Sequence, residues 1–143
     1  MDIFDSLKIG SSALKAQQVR LNAISSNLAN IETTRTPEGG PYQKKAVVFR
    51  TTPLSFDRDL EQNMRGAVQG VEVSRILTDP APPKMIYDPS HPDAGSDGFV
   101  AKPNINLLEE ITDMMTATRA YEANVTTIKS AKRMALKALE IGR

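Results

Sequence analysis

The chain has 143 residues, 18 Lys+Arg against 17 Asp+Glu for a net charge of +1, and no cysteine. That length suits one domain, or one plus an appendage, and the balanced charge offers no one-signed field to attract nucleic acid. A disulfide framework, a zinc–thiolate site and a cysteine nucleophile are excluded, no apolar run approaches the roughly 18 residues of a membrane span, and MDIFDSLKIG shows no cleaved secretory signal.

Proline and glycine divide the chain. All nine prolines lie between Pro37 and Pro103, with six of the eight glycines. Both residues interrupt helices, so helix-permitting segments at 1–36 and 104–143 flank a strand-and-loop middle at 37–103. The predicted fold is mainly α with a small β part. Its long N- and C-terminal helices form a coiled-coil-like bundle, with a β-hairpin or small sheet and loops between them.

In the first segment Leu7, Leu14, Leu21 and Leu28 hold one position of a seven-residue repeat, and Ile3, Gly10, Gln17, Ile24 and Ile31 the other. A 3.5-residue spacing over four heptads is a coiled-coil signature, although one amphipathic helix packed on its own domain gives the same pattern. Gly10 and Gln17 weaken this seam near its start.

In the middle, Tyr42 to Arg50 and Val68 to Leu77 are the best strand candidates, with Lys84 to Tyr87 a third. Residues 51–66 form a loop or one short helical turn. Some 65 residues of this kind make a marginal core alone, so a small sheet leaning on the helices is expected.

The second helical segment alternates Leu107, Met114, Tyr121, Ile128 and Ala135 with Ile111, Thr118, Val125, Lys132 and Leu139. Asn104 or Asn106 can cap its start. Glu109, Glu110 and Asp113 lie early and Lys129, Lys132, Arg133 and Lys137 late, a gradient that complements the helix dipole. The two helices would be about 45 and 55 Å long, too long for a small globule, so they pair with each other or with copies elsewhere.

Little in the sequence points to chemistry. The single histidine, His91, lies among Asp88, Asp93 and Asp97, but the spacing fits no calcium loop and these are also turn residues. No nucleophile-elbow sequence accompanies it. Asp57, Asp59 and Glu61 resemble a glycosidase pair only in residue type, and a solvated charge run explains them better. Glu38-Gly39-Gly40 lacks the Gly-Lys-Ser/Thr ending of a phosphate loop. The expectation is a protein without catalysis, metal, cofactor or small-molecule substrate.

LNAISSNLANI, residues 21–31, has no charge in eleven residues. Small residues allow close helix approach, and Asn and Ser can bond across a contact. Packing on more than one side accounts for this better than solvent does, although a weakly charged surface helix has the same composition. The expected subunit interface is therefore Leu7, Leu14, Leu21, Ile24, Asn27, Leu28, Asn30 and Ile31 on the first helix. On the second it is Leu107, Ile111, Met114, Thr118, Tyr121, Val125, Ile128 and Leu139.

At this point the chain resembles the bacterial flagellar basal-body rod proteins, a family of axial proteins. SALKAQQVRLNAISSNLANIETT carries the shared motif, with Asn27-Leu28-Ala29-Asn30 at its centre. GGPYQKKAVVF, YDPSHPDAGSDGFVAKPNINLLEEITDMMTATRAYEANV and KSAKRMALKALEIGR narrow the resemblance to a short proximal rod protein. Residues 51–66 depart from the family by being longer and more charged than expected.

The resemblance implies a structural subunit whose terminal helices pack into a helical tube that transmits motor torque and encloses an export channel. Its implied partners are the other proximal rod proteins, the rod–ring adaptor protein and the distal rod protein. It further implies passage through the flagellar type III export apparatus without a cleaved signal peptide, and a place in the periplasmic basal body. Composition alone suggests the cytoplasm, and the resemblance replaces that reading. A soluble coiled-coil adaptor or export chaperone would share the heptads, and a peptidoglycan hydrolase would share the location.

Overall fold

The computed structural model describes residues 3–53 and 69–141. Helix α1 runs Ile3–Ala29 and helix α2 Leu107–Ile141, with strands β1 Lys45–Pro53, β2 Gln69–Thr78, β3 Lys84–Tyr87 and β4 Phe99–Lys102 between them. The mainly α architecture with a small β middle is as the sequence predicts. The segment read as loop or helical turn lies mostly outside the described residues, as do Asp57, Asp59 and Glu61.

α1 ends seven residues before the predicted boundary at 36, for a local reason. Asn30 turns its side-chain amide back onto the Ser26 carbonyl at 2.8 Å, and the Thr33 hydroxyl donates to Asn30 Oδ1 at 3.2 Å. These bonds satisfy groups that the next helical turn would have used. The chain then reverses through Thr36, whose N–H reaches the Gly40 carbonyl at 2.9 Å.

Asn106, one of the two predicted caps, starts α2. Its Oδ1 accepts the Leu108 N–H at 3.1 Å, and its carbonyl accepts the Glu110 N–H at 3.0 Å. The predicted charge gradient lies within α2, with Lys129, Lys132, Arg133 and Lys137 in its later turns, though it stops short of the last one. Glu109 and Glu110 occupy the first turn, but no basic residue lies in the last turn, where Glu140 instead pairs with Lys137 at 2.7 Å.

The helices pack antiparallel against each other. Asn27 lies beside Glu110, Arg20 pairs with Asp113 at 3.1 Å, and Gly10 lies against Ile128. As position falls along α1 it rises along α2.

β1 and β2 form an antiparallel hairpin from Lys45↔Thr78 to Pro53↔Gln69. A bulge after Val48 leaves Ser74 without a partner. The hairpin lies along α1, and the Ser12 hydroxyl accepts the Val71 N–H at 3.1 Å, covering part of the β2 edge. β3 and β4 form a second antiparallel hairpin, from Lys84↔Lys102 to Tyr87↔Phe99. β3 has the predicted bounds, whereas β4 has no counterpart in the sequence reading. Its Val100 is 1% exposed and anchors the hairpin.

Candidate assembly surface and its supporting hub

Asn27 is 1% exposed, and every hydrogen-bonding position of its side chain is filled from within the chain. Nδ2 donates to the Lys45 carbonyl at 2.9 Å and to Glu110 Oε2 at 3.0 Å. Oδ1 accepts the Lys45 N–H at 2.8 Å and the Tyr42 hydroxyl at 3.1 Å. The amide thus bonds both backbone groups of Lys45, as a neighbouring strand would, and fixes where β1 begins. Tyr42 also lies 3.1 Å from the Ser26 hydroxyl.

Glu110 is equally buried, at 1% exposed. Its second oxygen meets the Lys44 ammonium at 2.8 Å. Lys44 also reaches Glu109 at 3.3 Å. The bond to Glu110 raises the Lys44 pKa above its usual value, partly offset by burial. A carboxylate is tolerable at this depth because one oxygen has a donor and the other a cation.

Asn27 is thus packed on more than one side, as expected, but by elements of its own chain. Its neutrality serves the interior: the amide joins the end of α1, the start of β1 and the first turn of α2. A carboxylate there would face Glu110 at close range, with no water to screen the two charges.

The helix seam also differs from the predicted one. The buried residues of the two helices are Gly10, Ala16, Ala23, Ile24 and Asn27 on α1 and Glu110, Ala117 and Ala131 on α2, and of these Ala16 borders Val71 and Val73 of the first hairpin. On α2 the second row of the repeat is therefore Glu110, Ala117, Asn124 and Ala131, one residue before the predicted row of Ile111, Thr118, Val125 and Lys132. Gly10 does not weaken the seam. A Cβ there would lie 2.8 Å from Ile128 Cγ1, so the glycine creates the space that Ile128 fills.

Larger apolar residues are covered only in part. Of the predicted interface, Ile24 and Asn27 are buried within the chain. Leu7, Leu14, Leu21, Leu28, Asn30, Ile31, Met114, Tyr121, Val125 and Ile128 are half-buried, and Leu107, Ile111, Thr118 and Leu139 are exposed. Two residues absent from that set stand out: Leu108 is 73% and Met115 53% exposed. With Ile111 they follow i, i+3, i+7 spacing, a second apolar stripe legible from the sequence.

The threonines make this outer face easier to cover. Thr112, Thr116, Thr118, Thr126 and Thr127 each donate to the carbonyl four residues earlier, at 2.8 to 3.0 Å. With their hydroxyls bonded to their own helix, they can be buried without leaving an unpaired donor.

The His91 loop is organised as a turn. The Ser90 hydroxyl donates to Asp88 Oδ1 at 2.6 Å and holds the Asp88 carboxyl below its usual pKa. His91 Nδ1 accepts the Asp93 N–H at 3.1 Å, and Gly98 closes the turn at φ +74°. Among the described residues no three His, Asp or Glu side chains are grouped to hold a metal ion. No helix among them is long and apolar enough to cross a membrane.

Two family models match the chain. "Flagella basal body rod protein" covers residues 7–35, and "Flagellar basal body rod FlgEFG protein C-terminal" covers residues 96–141. Together they span most of α1, the whole of β4 and the whole of α2. The chain is 45% identical to the flagellar basal-body rod protein FlgC of Bacillus subtilis, with 100% of each chain covered. It is 44% identical to FlgC of Borreliella burgdorferi, over 99% of this chain and 98% of that one. For FlgC of Salmonella typhimurium the identity is 37%, over 100% of this chain and 98% of the relative.

Proposed function

This chain belongs to the FlgC family of flagellar basal-body rod proteins and is a structural subunit of the rod, and on that premise we propose how it assembles. The outer faces of α1 and α2 pack against neighbouring subunits to build a helical tube, which transmits motor torque and encloses the export channel. The β part faces outward. The supporting observation is the inverted seam: Gly and Ala are spent inside the subunit, while Leu108, Met115 and Leu139 remain uncovered. A soluble coiled-coil adaptor or chaperone would hide such residues within its own small oligomer.

In this reading the working location within the basal body is the periplasm. The chain travels there through the flagellar type III export apparatus without a cleaved signal peptide. Its neighbours are the other proximal rod proteins, the rod–ring adaptor and the distal rod protein. This reading assigns the chain no catalysis, which fits the engagement of His91 in a turn and of the buried Glu110 by Asn27 and Lys44.

The test is a pair of substitutions, Leu108→Asp with Met115→Asp. The expected result is a folded, exported protein that is absent from isolated basal bodies, in cells that do not swim. Glu38→Lys, an exposed change in the turn after α1, is the control and should swim normally. Normal incorporation of the doubly substituted chain would exclude the outer face of α2 from the assembly contacts.

A further inference from the structure

The described part of the molecule carries unpaired charge of opposite sign at its two poles. At the pole where α1 ends, the turn between β3 and β4 presents Asp88, Asp93 and Asp97. Among the described residues none of these makes a close ion pair, and of the three Asp88 feels Lys102 and His91 at longer range. The turn is tied to that pole by Thr34, whose hydroxyl donates to Asp93 at 2.7 Å, and by Lys102, which pairs with Glu32 at 2.5 Å. Toward the other pole, Lys129, Lys132 and Arg133 are exposed, and they too have no ion pair among the described residues.

Each charged patch borders uncovered apolar surface. Met85 and Tyr87 share one face of the second hairpin with Phe99, and they are 60%, 66% and 43% exposed. Tyr87 and Phe99 stack edge to face with ring centroids 5.3 Å apart, so the face is stiff. On α2, Lys129, Lys132, Arg133 and Leu136 recur at i, i+3, i+4 and i+7 and share one side, with Leu136 51% and Leu139 71% exposed.

We propose that a second copy of this chain lays the C-terminal third of its α2 across this hairpin face, with its cations against the aspartates and its leucines against Met85, Tyr87 and Phe99. The two patches cannot meet within one molecule. Glu110 marks the hairpin pole, and Lys132 lies about 33 Å farther along α2 at 1.5 Å per residue. Two unlike patches at opposite poles make a heterologous contact, which repeats along an axis instead of closing in a pair. This inference rests on the rod-subunit reading above and adds a contact made by the β part, which that reading leaves facing outward.

The test replaces Tyr87 with the photo-cross-linker benzoylphenylalanine in the full chain and maps cross-links in isolated basal bodies by mass spectrometry. The expected product joins position 87 to a peptide from residues 125–141 of another copy. If the chain is present in basal bodies but cross-links elsewhere or not at all, the inference falls and the rod reading stands. If the chain is absent from basal bodies, both fall. In concentrated purified protein, Lys132→Glu should lower the yield about fivefold, the scale of one surface ion pair. Asp97→Lys in the same chain should restore it, and failure to restore it would overturn the charge pairing.

Discussion

The side-chain amide of Asn27 donates to Glu110 at 3.0 Å across 83 residues of sequence. That bond closes the only described side-chain route joining α1, the start of β1 and α2. Asn27→Ala would leave both backbone groups of Lys45 and one oxygen of Glu110 without their donor or acceptor, a loss of about 3 kcal/mol. Asn27→Asp should be worse, because it faces one carboxylate with another. Urea unfolding of the isolated protein measures both, and an unchanged midpoint would remove the hub from the account. Asn27→Lys should likewise lower stability in the isolated protein, placing the harm within the subunit and not at its contacts.

Lys44 gives the hub a pH dependence. Its pKa is raised in the folded chain by Glu110, so its stabilising contribution is complete below the ordinary value of 10.5 and declines as pH climbs through the raised one. Lys44→Met should cost about 2 kcal/mol at neutral pH, after discounting for partial exposure of the ammonium. The stability gap between the parent and Lys44→Met should therefore stay constant up to about pH 10 and narrow above it. A gap that widened at alkaline pH would reverse the assignment.

Gly10→Ala tests the close approach of the helices. The added methyl would press on Ile128, costing about 1–3 kcal/mol. Ile128→Ala removes the atom it meets, so the two changes together should cost less than their sum. A double-mutant cycle gives that coupling, and additivity would mean that the helices simply move apart.

His91→Ala removes one acceptor from an exposed turn. The expected outcome is near-normal assembly and swimming, because Ser90, Asp88 and Gly98 continue to define the loop. A stoichiometric metal present in the parent and lost in this variant would instead make the loop a ligand site.

The long elements were legible because proline and glycine punctuate the sequence so sharply: α2 begins within three residues of the predicted boundary, and β3 lies where its apolar run places it. β4 has no such signal, because FVAK is four residues long and follows a Gly-containing turn whose composition reads as loop. The seam was misread for a different reason. Heptad reasoning seeks the largest apolar residues, and here glycine, alanine, an amide and a carboxylate share the contact with Ile24 and Ile128 while Leu107 and Leu139 lie exposed. Asn27 announced itself only as an absence of charge. Its partners Lys45 and Glu110 are 18 and 83 residues away, and no local pattern connects them.

The antiparallel helix pair also dictates where the protein can be handled. The first turn of α1 and the last turn of α2 emerge at the same pole, so a fluorescent or affinity fusion at either terminus crowds one and the same region, beside the exposed Leu139. The Thr36–Gly40 turn lies toward the opposite pole, and a Cβ built on Gly39 or Gly40 meets nothing within 4 Å. A short tag inserted between those two glycines would sit in open solvent and leave both helices unburdened.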